Sequence, residues 1–118
     1  MTTITLYHNP RCSKSRETLA LLESNGVQPN IVKYLETPPS ADTLTALKDK
    51  LGIRSFRDMM RTKEADYKTA QLGDASVTEA QLLDAMVNNP ELIERPIAVK
   101  AERAVIGRPP ENVLDLLA

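Results

Sequence analysis

A single cysteine and a single histidine stand four residues apart in the run Tyr7-His8-Asn9-Pro10-Arg11-Cys12-Ser13-Lys14-Ser15, where an extended N-terminal stretch gives way to a helical pattern. A thiol at the first turn of a helix meets backbone N–H groups without intrahelical partners and the positive end of the helix dipole, so a thiolate or an oxyanion is stabilised there. The dipole alone is too weak. Lowering a thiol's pKa by two units corresponds to about 2.7 kcal/mol, whereas a surface helix terminus contributes about 0.3–1 kcal/mol. Cations and hydroxyl donors must supply the rest, and His8, Arg11, Lys14, Arg16, Ser13 and Ser15 are close in sequence. A lone cysteine is often a small buried hydrophobe. Cys12, however, follows Asn-Pro and is flanked by Arg11, Ser13 and Lys14, surroundings that suit a nucleophile better than an apolar core. For His8 a ring that merely packs at a strand end competes evenly with a group that helps stabilise the thiolate.

Ser15 occupies the position at which a Cys-x-x-Cys motif carries its second cysteine. Any disulfide or thiol adduct formed on Cys12 must therefore be resolved by an outside thiol, which implies glutathione, a glutaredoxin, or both. One cysteine also leaves no intramolecular disulfide and no Cys/His metal cluster, and it points to a reducing compartment, the cytoplasm by default. Two Arg-Pro pairs, Arg95-Pro96 and Arg108-Pro109, flank a predicted hairpin. Proline biases the preceding residue toward extended geometry and so fixes the direction in which each arginine departs. Both guanidinium groups could converge on Cys12, with Arg61 reaching in from a more distant segment. Arginine binds tetrahedral oxyanions through permanently charged, bidentate contacts. On spacing alone, three solvated surface arginines remain the competing reading.

The elements that must position these groups are legible from the pattern. Thr3 to Tyr7 reads as a strand stopped by Asn9-Pro10. A helix follows from about Ser13, with Leu19, Ala20 and Leu22 as its apolar positions and Asn25-Gly26 as its stop. Ile31 to Leu35 is a second extended run, which makes the opening third a βαβ unit with a parallel crossover. Pro38-Pro39 breaks the chain; Ser40 and Asp42 then open a helix with a Leu44, Leu47, Leu51 stripe, closed by Gly52. Ser55 to Asp58 has capping-box spacing and predicts a short helix through Arg61, and helical turns and loop follow to Gly73. Thr78 to Gln81 is a second capping box, opening a helix with Leu82, Leu83, Met86 and Val87 buried. Pro96 to Gly107 reads as an antiparallel hairpin, and Pro109-Pro110 sets up a last helix with Val113, Leu114 and Leu117 inward. Residues 1–118 are thus expected to form one α/β domain: a thioredoxin-like βαββα core with a mixed four-stranded sheet and a helical insertion, about residues 40–90, after the second strand.

Bulk composition narrows the function further. Fifteen Lys plus Arg against sixteen Asp plus Glu give a net charge of −1 without a basic block, and three Tyr with one Phe offer no base-stacking platform. Neither nucleic acid nor an anionic membrane is suggested as a partner, and any anion site must be local. No run approaches the ~18 apolar residues of a membrane span. A soluble, cytoplasmic protein is expected.

Tyr7 to Arg16, the segment Tyr34-Leu35-Glu36-Thr37-Pro38-Pro39, the stretch Leu92-Ile93-Glu94-Arg95-Pro96-Ile97 and the closing Gly107-Arg108-Pro109 together resemble the glutaredoxin-linked arsenate reductase family, in its short chromosomal form. The resemblance spans almost the whole chain. It implies that Cys12 attacks arsenate as a thiolate, that Arg61, Arg95 and Arg108 bind the oxyanion, that His8 favours the thiolate and that Ser15 is hydrogen-bonded to the nucleophile. It further implies glutathione as co-substrate, glutaredoxin as the partner that frees Cys12, and no bound cofactor or metal. The phosphatase-like reductase class is excluded, because its Cys-x5-Arg loop would need arginine where this chain has Thr18. Two alternatives remain open: reduction of another oxyanion, and an Spx-like regulator of the same fold that binds RNA polymerase. Ser15 in place of a second cysteine disfavours the regulator.

Overall fold

The computed structural model describes residues 3–117, which fall into two compact units: one formed by the chain up to Thr37 together with Arg95 onward, and one by Pro38–Glu94. In the first, β1 (Ile4–Tyr7) leads into α1 (Ser13–Ser24), β2 (Asn30–Val32), the hairpin β3 (Ile97–Lys100) and β4 (Arg103–Ile106), and a closing 3₁₀ segment, Pro110–Leu116. The four strands form one sheet in the order β2-β1-β3-β4, with β1 and β2 parallel and the other pairs antiparallel. This is the mixed sheet and βαββα order of the thioredoxin-like fold.

Alternation along β1 buries Ile4 and Leu6, and these join Leu22 of α1, Ala98 of β3 and Val113 and Leu116 of the 3₁₀ segment in one core. Each of the larger side chains contributes about 1.5–3 kcal/mol through removal from water, and Ala98 less. The inward face of α1 is Ser15, Thr18 and Leu22, with Leu19 partly covered; Ala20, expected inward, is exposed. Polar residues on the inner stripe near the N-terminus of α1 belong to the site described below. Gly26, at φ 79°, ends the helix in the left-handed conformation that glycine adopts without a Cβ penalty.

Three expectations are corrected. The second strand stops at Val32, not Leu35, because the N–H groups of Glu36 and Thr37 both turn back onto the Lys33 carbonyl, each at 2.9 Å, leaving Leu35 exposed. The last helix is 3₁₀, whose three-residue period puts Pro110, Val113 and Leu116 on one buried face and turns Leu114 outward. In the second unit, the Ser55 hydroxyl oxygen accepts from Arg57 N–H, and the terminus is completed by Glu79, which accepts from Phe56 N–H and the Ser55 hydroxyl, each at 2.8 Å. The expected Ser55–Asp58 box thus gives way to a carboxylate from a later helix, and the 3₁₀ turn Phe56–Met59 ends before Met60, which pairs with Ile93.

The rest of the second unit follows its sequence signals. α2 (Ala41–Leu51) starts at Ser40, whose Oγ accepts from Thr43 N–H, and ends at Gly52; α3 (Ala65–Thr69) is short; α4 (Glu79–Asn88) carries the complete Thr78–Gln81 capping box and packs on α2. Leu44, Leu47, Leu82 and Met86 are buried, whereas Leu51, Leu83 and Val87, expected on the same faces, are half-buried. Among the described residues, no helix is long and apolar enough to cross a membrane.

Gly107 is the tightest backbone approach in the first unit. A Cβ there would lie 2.7 Å from Thr18 Oγ1 and 2.8 Å from Pro96 Cγ, and Thr18 cannot swing away because it is fully buried and donates to the Lys14 carbonyl. Gly107→Ala is predicted to destabilise the fold by about 1–3 kcal/mol, the usual cost of overpacking, as read from a urea melt; an unshifted midpoint would show that the loop gives freely.

Candidate active site

The strand register gathers the chemistry-bearing residues. Tyr7 pairs with both Val32 and Ile97, and Ile97 pairs with Ile106. The residues that follow Tyr7 and Val32, precede Ile97 and follow Ile106 therefore emerge at one end of the sheet: His8, Lys33, Arg95-Pro96 and Gly107-Arg108. Segments more than sixty residues apart in sequence meet there.

Between β1 and α1, Asn9 organises the turn with three of its own groups. Its N–H donates to Ser15 Oγ, its side-chain oxygen accepts from Arg11 N–H and its carbonyl accepts from Cys12 N–H, all at 3.0 Å. Cys12 is consequently the N-cap of α1, with extended backbone (φ −91°, ψ 124°), and its carbonyl takes the first helical hydrogen bond from Arg16 N–H. Sequence reading used Asn9 only as a strand stop. Asparagine's habit of bonding the backbone two residues on was the available signal.

At the N-cap the Cys12 sulfur faces the open donors of the helix. Burial pushes its pKa up, but hydrogen bonds from Ser15 N–H, from the Arg95 guanidinium and from Lys14 N–H, together with the Arg95 charge, outweigh burial and hold it below the ordinary thiol value. Arg108 adds a long contact, Nη2 to Sγ at 3.5 Å. Its direction is fixed by the Arg95 main chain, whose carbonyl accepts from Arg108 Nε at 2.7 Å, while Gly107 N–H donates to the Pro96 carbonyl at 2.9 Å. Both Arg-Pro peptides are cis. The two arginines anticipated from the Arg-Pro pairs thus meet at Cys12.

His8 and Ser15 lie behind the sulfur. Both are buried, and His8 Nδ1 is 2.6 Å from Ser15 Oγ. Burial first, and then the charges of Lys33 and Arg16, push the His8 pKa down, so the ring is neutral at neutral pH. With Asn9 N–H already directed at the Ser15 oxygen, the hydroxyl proton is placed to donate to an unprotonated Nδ1. His8 therefore brings no positive charge to the thiolate and is bonded to Ser15. Of the Ser15 groups it is the main-chain N–H, not the hydroxyl, that helps to lower the Cys12 pKa. Arg61 belongs to the second unit, where its Nη1 pairs with Glu64 Oε2 at 2.7 Å and its N–H donates to the Leu92 carbonyl.

Comparison with known proteins places this geometry among its relatives. Residues 7–116 match the ArsC family. The chain is 56% identical over 114 residues to the uncharacterized protein YfgD of Escherichia coli K12, covering 97% of this chain and 96% of that one. It is 49% identical over 114 residues to an arsenate reductase of Haemophilus influenzae, with 97% of this chain and 98% of that one covered. The solved arsenate reductase of Vibrio cholerae superposes with a TM-score of 0.95 at 52% identity, covering 97% of each chain.

Two outcomes are expected. Arg95→Ala should raise the midpoint of the Cys12 thiolate absorbance titration toward the ordinary thiol value. Because the folded-state pKa is depressed, the thiolate's contribution to stability grows as pH rises from that pKa and is complete above the unfolded value; the variant should lose part of it on the alkaline side only. Ser15→Ala leaves two buried groups, His8 Nδ1 and Asn9 N–H, without this partner, and a loss of about 2 kcal/mol is expected in denaturant melts; a stability equal to wild type would show that the knot is dispensable.

Proposed function

The chain belongs to the ArsC family, and from that premise we propose that it is an arsenate reductase in which Cys12 is the nucleophile and Arg95 and Arg108 receive the oxyanion. The observation that carries this reading is the contact of the Arg108 guanidinium with the Cys12 sulfur at the N-cap of α1, where Arg95 and the N–H groups of Ser15 and Lys14 hold the thiol below its ordinary pKa. Those donors suit both a thiolate and the negative oxygens of a tetrahedral anion beside it. The assignment of Arg61 as a third oxyanion ligand rests on its sequence context.

The Cys12 thiolate attacks arsenic and forms a sulfur–arsenic bond while one arsenate oxygen leaves as water. Arsenic is still pentavalent at this point. A glutathione thiolate then attacks the Cys12 sulfur; a disulfide forms, and the electron pair of the sulfur–arsenic bond stays on arsenic, which departs as trivalent arsenite. The two electrons come from the two thiol sulfurs. A glutaredoxin thiolate removes glutathione from Cys12 and restores the nucleophile. A lone thiolate survives between turnovers only where thiols are kept reduced, which makes the cytoplasm the working compartment.

In an assay coupling arsenate, glutathione and glutaredoxin to NADPH oxidation through glutathione reductase, wild type should turn over and Cys12→Ser should fall to background. Arg95→Ala should lower kcat/KM for arsenate by about 10²-fold, the usual loss of one preorganised oxyanion donor. Wild type without turnover at any arsenate concentration overturns the reading.

A further inference from the structure

On the β2 side of the Cys12 turn lies a cavity of about 290 Å³ that the oxyanion chemistry does not use, bordered by His8 to Arg11 and by Lys33, Leu35 and Glu36. We infer that it seats the outside thiol that resolves Cys12, and that it selects an anionic peptide thiol through Arg11 and Lys33. The inference rests on the reductase reading above and adds to it a place for the second substrate.

Position is the first reason. One wall of the cavity is the Asn9-Pro10-Arg11 turn, whose next residue is the nucleophile, held to that wall by the bond from Cys12 N–H to the Asn9 carbonyl. The strand order separates the two substrates: Arg95 and Arg108 belong to the β3–β4 side of β1, whereas Lys33 follows β2 on the other side. A thiol entering beside Lys33 approaches the sulfur without displacing the guanidinium groups that hold the oxyanion.

Charge is the second. Arg11 and Lys33 are exposed on the rim, and Arg16 is anchored to the same wall, its Nη1 donating to the Pro10 carbonyl at 2.9 Å. Against these three cations the rim carries one carboxylate, Glu36, and the neutral His8 ring. Such a rim favours a ligand with more than one carboxylate and gives little to a neutral thiol. Leu35, 38% exposed, offers an apolar patch for methylene groups. β2 is an edge strand, so one side of its backbone is open to pair with a peptide, a common mode of recognition. Glutathione, a short peptide with two carboxylates, has the required chemistry.

The test uses thiol–disulfide exchange and needs no arsenate. The Cys12 thiolate attacks one sulfur of glutathione disulfide, forming the protein–glutathione disulfide and expelling one glutathione thiolate. The same exchange with the neutral hydroxyethyl disulfide measures the intrinsic reactivity of Cys12. For each variant the rate with glutathione disulfide is divided by its own rate with the neutral disulfide, so that any change in the intrinsic reactivity of Cys12 cancels; Arg11→Glu with Lys33→Glu should lower that ratio by about tenfold or more, and the milder Lys33→Gln should fall between. Equal slowing with both disulfides, or no slowing with either, overturns the site. Failure of the NADPH-coupled assay would instead count against the reductase reading, because the exchange rates do not depend on it.

Discussion

Ser15 Oγ sits 2.6 Å from His8 Nδ1 and accepts the Asn9 N–H at 3.0 Å, shielded from solvent. This buried knot ties the end of β1 to the first turn of α1, and the geometry of the nucleophile depends on it. Without it, two buried polar groups would lose a partner, and the Asn9 carbonyl that fixes Cys12 N–H would no longer be held in place. A serine at this position thus serves two ends. Its hydroxyl secures the turn, and its N–H favours the Cys12 thiolate.

Charge around the sulfur is arranged by distance and side. Arg95 acts directly on the thiolate, Arg108 is aimed at it through the Arg95 carbonyl, and Lys33 and Arg16 act on His8, holding the ring neutral. A protonated imidazole would be an obvious thiolate partner, yet burial and two neighbouring cations disfavour it. The positive charge that favours the Cys12 thiolate is therefore the permanent charge of arginine.

Local signals carried most of the fold. The β-branched run of β1, the Asn25-Gly26 stop and the Ser40 and Thr78 caps all appear where their residue types require. Sequence failed where a partner came from far away or where two helical periods compete over one short stretch. Ser55 has the spacing of a capping box, but Glu79 reaches its terminus from 24 residues downstream. Leu114 fits an α-helical stripe, whereas the chain takes a 3₁₀ period and buries Leu116 instead. In the site, Cys12 and the two Arg-Pro pairs stood out by type and context. The neutral state of His8 did not, since it depends on burial and on Lys33, which reaches this end of the sheet only through the β1–β2 register.

On the proposed mechanism Cys12 forms its adduct alone and is released by an outside thiol. Intact-mass measurement after a single turnover with arsenate and stoichiometric glutathione, without glutaredoxin, tests this most directly. The expected product is one glutathione joined to Cys12 by a reducible disulfide, accompanied by one equivalent of arsenite and formed only when arsenate is present. A chain that stays unmodified while arsenite appears, or that acquires glutathione equally well without arsenate, would contradict it.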